Sequence, residues 1–347
     1  MDDASSAAFV DDLLAAPAGV ALLARLEAEH RADVRWFEAP PDSDPVAVDR
    51  AAAWVAEASF GALVALTLEA AESLAGPWVG GAPDSMAAAF RHASPRRAIA
   101  ATIAARHGDR LRAPLDRGAQ QWWHSDTSGG RGFDRPRFRA FDHVYGNGEF
   151  PWDGLWTTTD PPSEAHDGLL SAWEVLPGPV SRWHLAVRPA ARVWTIDGPD
   201  DWVGLVTTHP KVAAHPHGGW ELPGPNQHDV DDLLAVPGQS AARRRTGPHV
   251  LPDWAAVAAD HDGVHLSWAG FLTTEGRVCD LPGGGVTMLR YWGGERTLWL
   301  ADAFGAVAPA VAPALSGSID GAMGVDARTD AARQHRDRQV LTALLGR

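Results

Sequence analysis

The chain has 347 residues and a formal net charge of −14 at pH 7, and 45% of its residues are hydrophobic. A chain of this length and apolar content is expected to build a substantial core and to divide into more than one unit. The acidic balance argues against a general grip on nucleic acid or on an anionic membrane surface, because both ligands select a basic face. A local basic groove is still compatible with this negative net charge.

Cysteine use and hydropathy indicate a cytoplasmic protein. Cys279 is the only cysteine, so the chain has no internal disulfide and no cysteine-rich metal site. No apolar run approaches the roughly 18 residues of a membrane-spanning helix, and the acidic start after Met1 does not resemble a signal peptide. We therefore expect a soluble, cytoplasmic protein that has no membrane partner.

The first 115 residues show helical patterns. Alanine-rich segments with apolar residues at helical spacing are interrupted by proline or glycine at helix-length intervals. The pair Asp44-Pro45, for example, is typical of a capping residue followed by a first-turn proline. The region has no cluster of polar chemistry, so the sequence predicts a helical domain over residues 1–115.

Glycine and charged residues dominate the next segment, 116–135, which is typical of a linker or mobile loop. Short strand patterns follow it, at 138–145, 154–159, 183–187, 192–196 and 263–268. Short helices with capping starts are predicted at Pro199 and Pro252. Because strands and helices do not alternate strictly, the pattern favours an α+β domain over 116–305 and not a doubly wound parallel sheet.

Residues 207–250 are rich in proline, glycine and histidine, and we interpret them as an insertion that serves as a lid or a target-recognition element. His215 and His217 point the same way on an extended segment, but no third ligand has a characteristic spacing, so no metal is predicted. A connector and a C-terminal helix are predicted over 306–347.

Several common catalytic motifs do not occur in this sequence. There is no GxSxG turn of a serine hydrolase, no GxGxxG dinucleotide loop and no GxxxxGK[ST] phosphate loop. A glycosidase-like pair of carboxylates stays an open alternative, because the spacing of the 44 acidic residues offers no test for it.

Three polar positions follow one another in an order that has chemical meaning: a basic strand, a hydroxyl strand and a late glutamate. The residues are Arg139 and His143 in FRAFDHVYGNG, Thr157, Thr158 and Thr159 in GLWTTT, and Glu295 in YWGGERTLWL, between Trp292 and Trp299. The stretch 286–300 predicts two strands around a glycine pair, either as a plain hairpin or as a functional site. Beside large aromatic residues, Glu295 is expected to be partly desolvated, where carboxylates do chemistry.

At these residues the chain resembles the ADP-ribosyltransferase fold, over about residues 120–305. The resemblance implies that His143 or Arg139 holds NAD, and the sequence leaves the choice between them open. It also implies that the threonine strand shapes the nicotinamide pocket and that Glu295 contacts the nicotinamide ribose. The implied catalytic residues are Glu295, His143 and Thr158, and the implied NAD-binding residues are Arg139, Thr157, Thr159, Trp156 and Trp292.

The implied chemistry fits these residue types. Breaking the nicotinamide–ribose bond of NAD builds positive charge on the sugar, which a fixed carboxylate stabilises in the transition state. Threonine hydroxyls can position a ribose without adding charge, and Trp156 or Trp292 would stack on the nicotinamide ring. In relatives that modify arginine, a second glutamate commonly lies two residues before the catalytic one, and Gly293 occupies that position here. We therefore expect another acceptor: a different protein group, a nucleic-acid base, a small molecule or water.

The competing hypothesis is a non-catalytic interaction protein that binds a partner through its helical domain and its tryptophan-rich surface. It predicts that Glu295 is exposed to solvent and lies far from Thr158 and His143. The enzyme hypothesis predicts that all three line one cleft.

Overall fold

The structure is a computed structural model, and it describes residues 3–31, 43–71, 92–125, 154–159, 161–162, 165, 180–212, 248–290 and 292–309. Met1–Pro309 form one compact unit and Ala310–Arg347 form another. Arg139, His143, most of the predicted insertion and the predicted C-terminal helix lie outside the described residues.

The described residues contain eight α-helices. The first five are α1 (Asp3–Ala15), α2 (Pro17–Glu29), α3 (Pro45–Glu57), α4 (Phe60–Ala71) and α5 (Arg97–Leu111). The other three are α6 (Pro199–Thr208), α7 (Trp254–Asp260) and α8 (Trp268–Thr274). None of these helices is by itself long and apolar enough to cross a membrane; the first two meet that criterion only as a pair, which bends by 85° at its junction.

Capping side chains set several of the helix starts, two of them where the sequence predicts them. Asp44 accepts a hydrogen bond from the Val46 amide, and Asp253 accepts from the two amides that follow Trp254. Ser267 accepts from the Gly270 amide at the start of α8. These bonds satisfy first-turn N–H groups that have no partner within the helix.

Eleven strands are described: β1 (Gln120–Ser125), β2 (Leu155–Thr159), β3 (Val180–Val187), β4 (Val193–Ile196), β5 (Pro210–Val212), β6 (Val250–Pro252), β7 (Gly263–Leu266), β8 (Val278–Asp280), β9 (Val286–Met288), β10 (Arg296–Trp299) and β11 (Phe304–Pro309). Seven of them form one sheet in the order β11-β3-β1-β2-β10-β7-β4. Its neighbours are antiparallel except for the parallel pair of β4 and β7. Eight helices with a mixed sheet confirm the predicted α+β class in general.

The prediction that 116–135 is a linker is wrong for residues 120–125. These residues form β1, which pairs with β2 on one side and with β3 on the other. Gln120 and Gln121 make the segment look polar, but both side chains are buried and hydrogen-bonded to side chains of the neighbouring strands. Their polarity is satisfied by partners that are distant in sequence, so local composition does not indicate a strand.

β9 and β10 lie on either side of the glycine pair, as predicted, but they do not form a hairpin. β9 pairs with β8, whereas β10 enters the main sheet between β2 and β7. Gly293 has a φ of +67°, a conformation that glycine adopts more readily than other residues. The turn therefore redirects the chain from a small strand pair into the main sheet and delivers Glu295 to its middle.

One hydrophobic core joins the N-terminal helices to the sheet. It includes Leu13 and Leu22 of the first two helices, Leu266 and Leu298 of the sheet, and Phe271 of α8. A smaller cluster around Trp299, Leu155 and Leu185 packs on the other face, since successive residues of a strand point to opposite faces. The predicted helical domain and the predicted α+β domain thus share a core, and residue 115 does not separate two compact units.

Candidate active site

The candidate site lies where β2 and β10 run side by side near the middle of the sheet. Thr297 is paired with Thr157 across these antiparallel strands, and Glu295 immediately precedes β10. Continuing that register by two residues places Glu295 beside Thr159. Residues that are about 137 positions apart in sequence therefore meet at one point of the fold.

Three groups of the threonine strand donate hydrogen bonds to the Glu295 carboxylate. The Thr158 hydroxyl donates to Oε2 at 2.5 Å, and the Thr159 hydroxyl donates to Oε1 at 2.9 Å. The Thr159 amide lies 3.0 Å from Oε2 and 3.3 Å from Oε1. A carboxylate has about four acceptor positions. Among the described residues, three donors occupy three of these positions, which leaves one for a ligand hydroxyl.

Glu295 is only 4% exposed. Burial raises the pKa of its carboxyl above the ordinary value, because the charged form loses its hydration. The hydrogen bonds from Thr158 and Thr159, and the positive charge of Arg296, act in the opposite direction. The ionisation of Glu295 is therefore set by a balance between desolvation and the donors on β2.

His265 lies on β7, the other neighbour of β10. Its Nδ1 atom is 2.9 Å from the Thr297 hydroxyl and 3.7 Å from Oε1 of Glu295. Burial lowers the pKa of this imidazole to about 4, so it is neutral at neutral pH. The contact with Glu295 is thus not an ion pair, and the direct partner of His265 is Thr297.

A further set of polar side chains continues behind Thr159. The Trp299 indole donates to the Thr157 hydroxyl at 2.8 Å, and that hydroxyl donates to Gln120 Oε1 at 2.6 Å. Gln120 Nε2 in turn donates to the Thr159 hydroxyl at 3.0 Å. Thr157 is fully buried and its hydroxyl bonds to Trp299 and Gln120, so in this structure it supports Thr159 through Gln120; its assignment to NAD stays a prediction.

The two tryptophans implied to stack on nicotinamide pack against each other. The rings of Trp156 and Trp292 meet edge to face, with centroids 4.9 Å apart. Trp292 is 1% exposed and belongs to the main core, where it has no free ring face for a ligand. Trp156 is half-buried and stays a candidate.

The predicted basic strand at 138–145 lies outside the described residues, so the structure does not place Arg139 or His143. The strand that pairs with the threonine strand opposite β10 is β1, which carries Gln120. The linker interpretation of 116–135 passed over Gln120. Sequence reasoning also missed His265, because a single histidine in a strand pattern has no local feature that shows its neighbours.

No family model matches this chain, and neither do any curated proteins or solved structures. Within the described ranges, no group of three or more histidine, cysteine, aspartate or glutamate side chains is placed to hold a metal ion. The candidate site is therefore defined by its own geometry, with Glu295, Thr158 and Thr159 at its centre.

Proposed function

We propose that the protein cleaves the nicotinamide–ribose bond of NAD, as an ADP-ribosyltransferase or an NAD glycohydrolase. The observation that carries the proposal is the buried Glu295 carboxylate, held by Thr158 and Thr159 of the neighbouring strand. The resemblance to the ADP-ribosyltransferase fold implies this pairing of a late glutamate with a hydroxyl strand. The contact is supplied by the fold, since the residues are far apart in sequence.

In the proposed reaction, the bond between ribose C1′ and the ring nitrogen of nicotinamide breaks, and both bonding electrons leave with nicotinamide. The ribose gains positive charge as the bond lengthens. Ionised Glu295 accepts a hydrogen bond from a ribose hydroxyl at its remaining acceptor position and stabilises that charge more in the transition state than in the ground state. The acceptor then bonds to C1′ and releases a proton.

The proposed site requires a basic residue to hold NAD beside the threonine strand. Arg139 and His143 keep this assignment from the family resemblance. A histidine or arginine in this place would donate to ribose or pyrophosphate oxygens.

The conformation of Gly293 supports an acceptor other than arginine. This residue occupies the position of the second glutamate in arginine-modifying relatives, and its φ is +67°. A glutamate would be strained there, because its Cβ atom disfavours positive φ. Another protein group, a nucleic-acid base, a small molecule or water is the acceptor we propose.

The interaction-protein hypothesis predicts an exposed Glu295 that is remote from Thr158. In the structure Glu295 is 4% exposed, and Thr158 donates a 2.5 Å hydrogen bond to it. Burying a carboxylate costs free energy unless donors compensate for its lost hydration. The three donors on β2 supply such compensation, which is why we favour the enzyme.

The test is release of nicotinamide from NAD by the full-length protein, alone and with cell lysate as a source of acceptors. Release that requires lysate, with ADP-ribose adducts found by mass spectrometry, supports a transferase and identifies its acceptor. Release without lysate and without adducts supports hydrolysis. If the wild type releases no nicotinamide under either condition, the proposed function is wrong.

A further inference from the structure

A chain of hydrogen bonds crosses β10, β2 and β1 before it reaches Glu295, and its outer ends fix its direction. The Trp299 indole can only donate, so the Thr157 hydroxyl accepts from it. The Asp116 backbone carbonyl can only accept, so the Gln120 atom 3.1 Å from it is the amide nitrogen Nε2. These two ends determine in which direction each hydroxyl between them donates.

Gln120 links the two hydroxyls. Its Oε1 accepts from Thr157 at 2.6 Å, and its Nε2 donates to Thr159 at 3.0 Å. A threonine hydroxyl that accepts from an amide keeps its own proton for another partner, which for Thr159 is Oε1 of Glu295 at 2.9 Å. Gln120 is 0% exposed, so bulk solvent does not compete for these bonds.

We propose that Gln120 is a positioning residue for Glu295: it holds the Thr159 hydroxyl in the orientation that donates to the carboxylate. The catalytic meaning of this inference rests on the proposed function, but the effect can be measured without NAD. Hydrogen bonds in a chain strengthen one another, so loss of Gln120 weakens the bond from Thr159. The ionised carboxylate is then less stabilised, and the pKa of Glu295, which burial already raises, increases further.

The titratable groups next to Glu295 do not by themselves raise its pKa when Gln120 is replaced. His265 faces it from β7, and its pKa of about 4 keeps it neutral while a raised carboxyl titrates. Arg296 follows it on β10 and has a pKa of about 9, with Glu275 as a further charge acting on that guanidinium. Replacing Gln120 changes neither of these groups, so a shift that follows the replacement reports the hydrogen-bond chain.

The experiment is a ¹³C NMR titration of the side-chain carboxyls in full-length protein labelled at glutamate. The Glu295 resonance is assigned by its loss in Glu295→Gln. Gln120→Leu removes the hydrogen bonds to both hydroxyls and to the Asp116 carbonyl, whereas Gln120→Glu keeps an acceptor for Thr157 but has no amide to donate to Thr159. We expect the pKa of Glu295 to rise by about half a unit or more in Gln120→Leu, and by more in Gln120→Glu, which adds a negative charge.

Thr273→Val is the control. Thr273 is equally buried, but its hydroxyl donates to the Ala269 carbonyl within α8 and not to a residue of the chain of hydrogen bonds that leads to Glu295. We expect this variant to lose stability and to keep the Glu295 pKa. An unchanged pKa in both Gln120 variants, or an equal shift in the control, overturns the proposal.

Thr157→Val provides a second route if Gln120→Leu does not fold. It removes the bond to Gln120 Oε1 and the acceptor of the Trp299 indole but keeps the Gln120 amide beside Thr159. The Glu295 pKa should therefore rise by less than in Gln120→Glu, and no rise in either variant overturns the proposal. A wild type that releases no nicotinamide contradicts the proposed function instead, and the titration still decides the role of Gln120.

Discussion

At the scale of single residues, Thr158 is the side chain that most strongly opposes the effect of burial on Glu295. Thr158→Val keeps the shape of the side chain and removes its donor. A hydrogen bond to a charged group contributes about 1.5–3 kcal/mol, so the Glu295 pKa should rise by about one unit or more. Because the proposed reaction requires ionised Glu295, nicotinamide release is expected to increase as pH rises through this pKa. We therefore expect the acid limb of the kcat profile to move to higher pH by that amount.

Thr273→Val is the control for Thr158→Val. Thr273 is equally buried, but its hydroxyl donates to the Ala269 carbonyl within α8 at 2.7 Å. This variant should lose about 1 kcal/mol of stability and keep the wild-type pH profile. An acid limb that does not move in Thr158→Val contradicts the assignment of Glu295 as the titrating group.

His265 makes the stability of the fold depend on pH. Its pKa falls from 6.5 to about 4 on folding, so between these values the unfolded chain binds a proton that the folded chain does not. The free energy of unfolding therefore decreases as pH falls through this window, by about 3 kcal/mol for the whole window. Below about pH 4 this loss is complete.

His265→Asn tests this effect, since its amide can replace Nδ1 beside Thr297 but does not titrate. Urea unfolding at pH 7.5 and pH 5 measures the loss for each protein. We expect the wild type to lose about 2 kcal/mol more than the variant between these two values. Equal losses in the two proteins would show that His265 is not buried in its neutral form.

At this scale the sequence indicated side chains that lie together in the structure, and their chemical role stays a prediction. The order of a threonine strand and a late glutamate led to Thr158, Thr159 and Glu295, which the fold brings together. Gln120 and His265 were missed because their partners depend on which strands are neighbours. The period-2 pattern shows which side chains share a face of one strand, but it does not show which strand lies beside it.

At the scale of elements, the Gly293-Gly294 turn positions Glu295. Gly294 has a φ of +155°, and a Cβ atom there would lie 3.3 Å from atoms of Leu68 and Trp268. We expect Gly294→Ala to destabilise the protein by about 1–2 kcal/mol and to slow nicotinamide release by about tenfold, because Glu295 is displaced. Urea unfolding and initial rates measure the two effects.

Gly283→Ala is the control for Gly294→Ala. Gly283 lies in a different turn, a Cβ atom added to it would meet no other part of the protein within 4 Å, and its φ is not in the positive range. It should match the wild type in both measurements. Wild-type stability together with wild-type turnover in Gly294→Ala would contradict the positioning role of the turn.

Element starts were predictable from sequence where a cap determines them locally. Asp44 and Asp253 cap α3 and α7, and both capping starts are visible in the sequence. Strand pairing was not predictable in the same way. β9 and β10 are neighbours in sequence but pair with different strands, because the turn between them leads away from a hairpin.

At the scale of the whole molecule, the helices and the sheet depend on one core. Leu13 and Leu22 bury their side chains in the same cluster as Leu266 and Phe271. Removing the N-terminal helices would expose the apolar surface of the sheet that they bury, and most of the stabilisation from burying that surface would be lost. We expect the fragment 116–347 not to fold alone, and far-UV circular dichroism and tryptophan fluorescence of the full chain to follow one coincident unfolding transition over Met1–Pro309. A fragment that unfolds cooperatively would contradict this view.

The domain boundary predicted at residue 115 illustrates what composition alone leaves undetermined. The change from alanine-rich helices to short strands is visible in the sequence and corresponds to a real change of secondary structure. Whether two such regions share a core depends on which apolar faces pack together, and residues such as Leu22 and Phe271 are more than 200 positions apart.

The central claim is that Glu295 stabilises positive charge on the ribose of NAD, and its most direct test is the rate of nicotinamide release by wild type and by Glu295→Gln. Glutamine has nearly the same shape but no charge, so the fold should persist and its circular dichroism spectrum should match that of the wild type. Loss of an electrostatic group that acts in the transition state typically reduces kcat by about 100-fold or more. We predict a decrease of at least about that size. Equal rates in the two proteins would contradict the account.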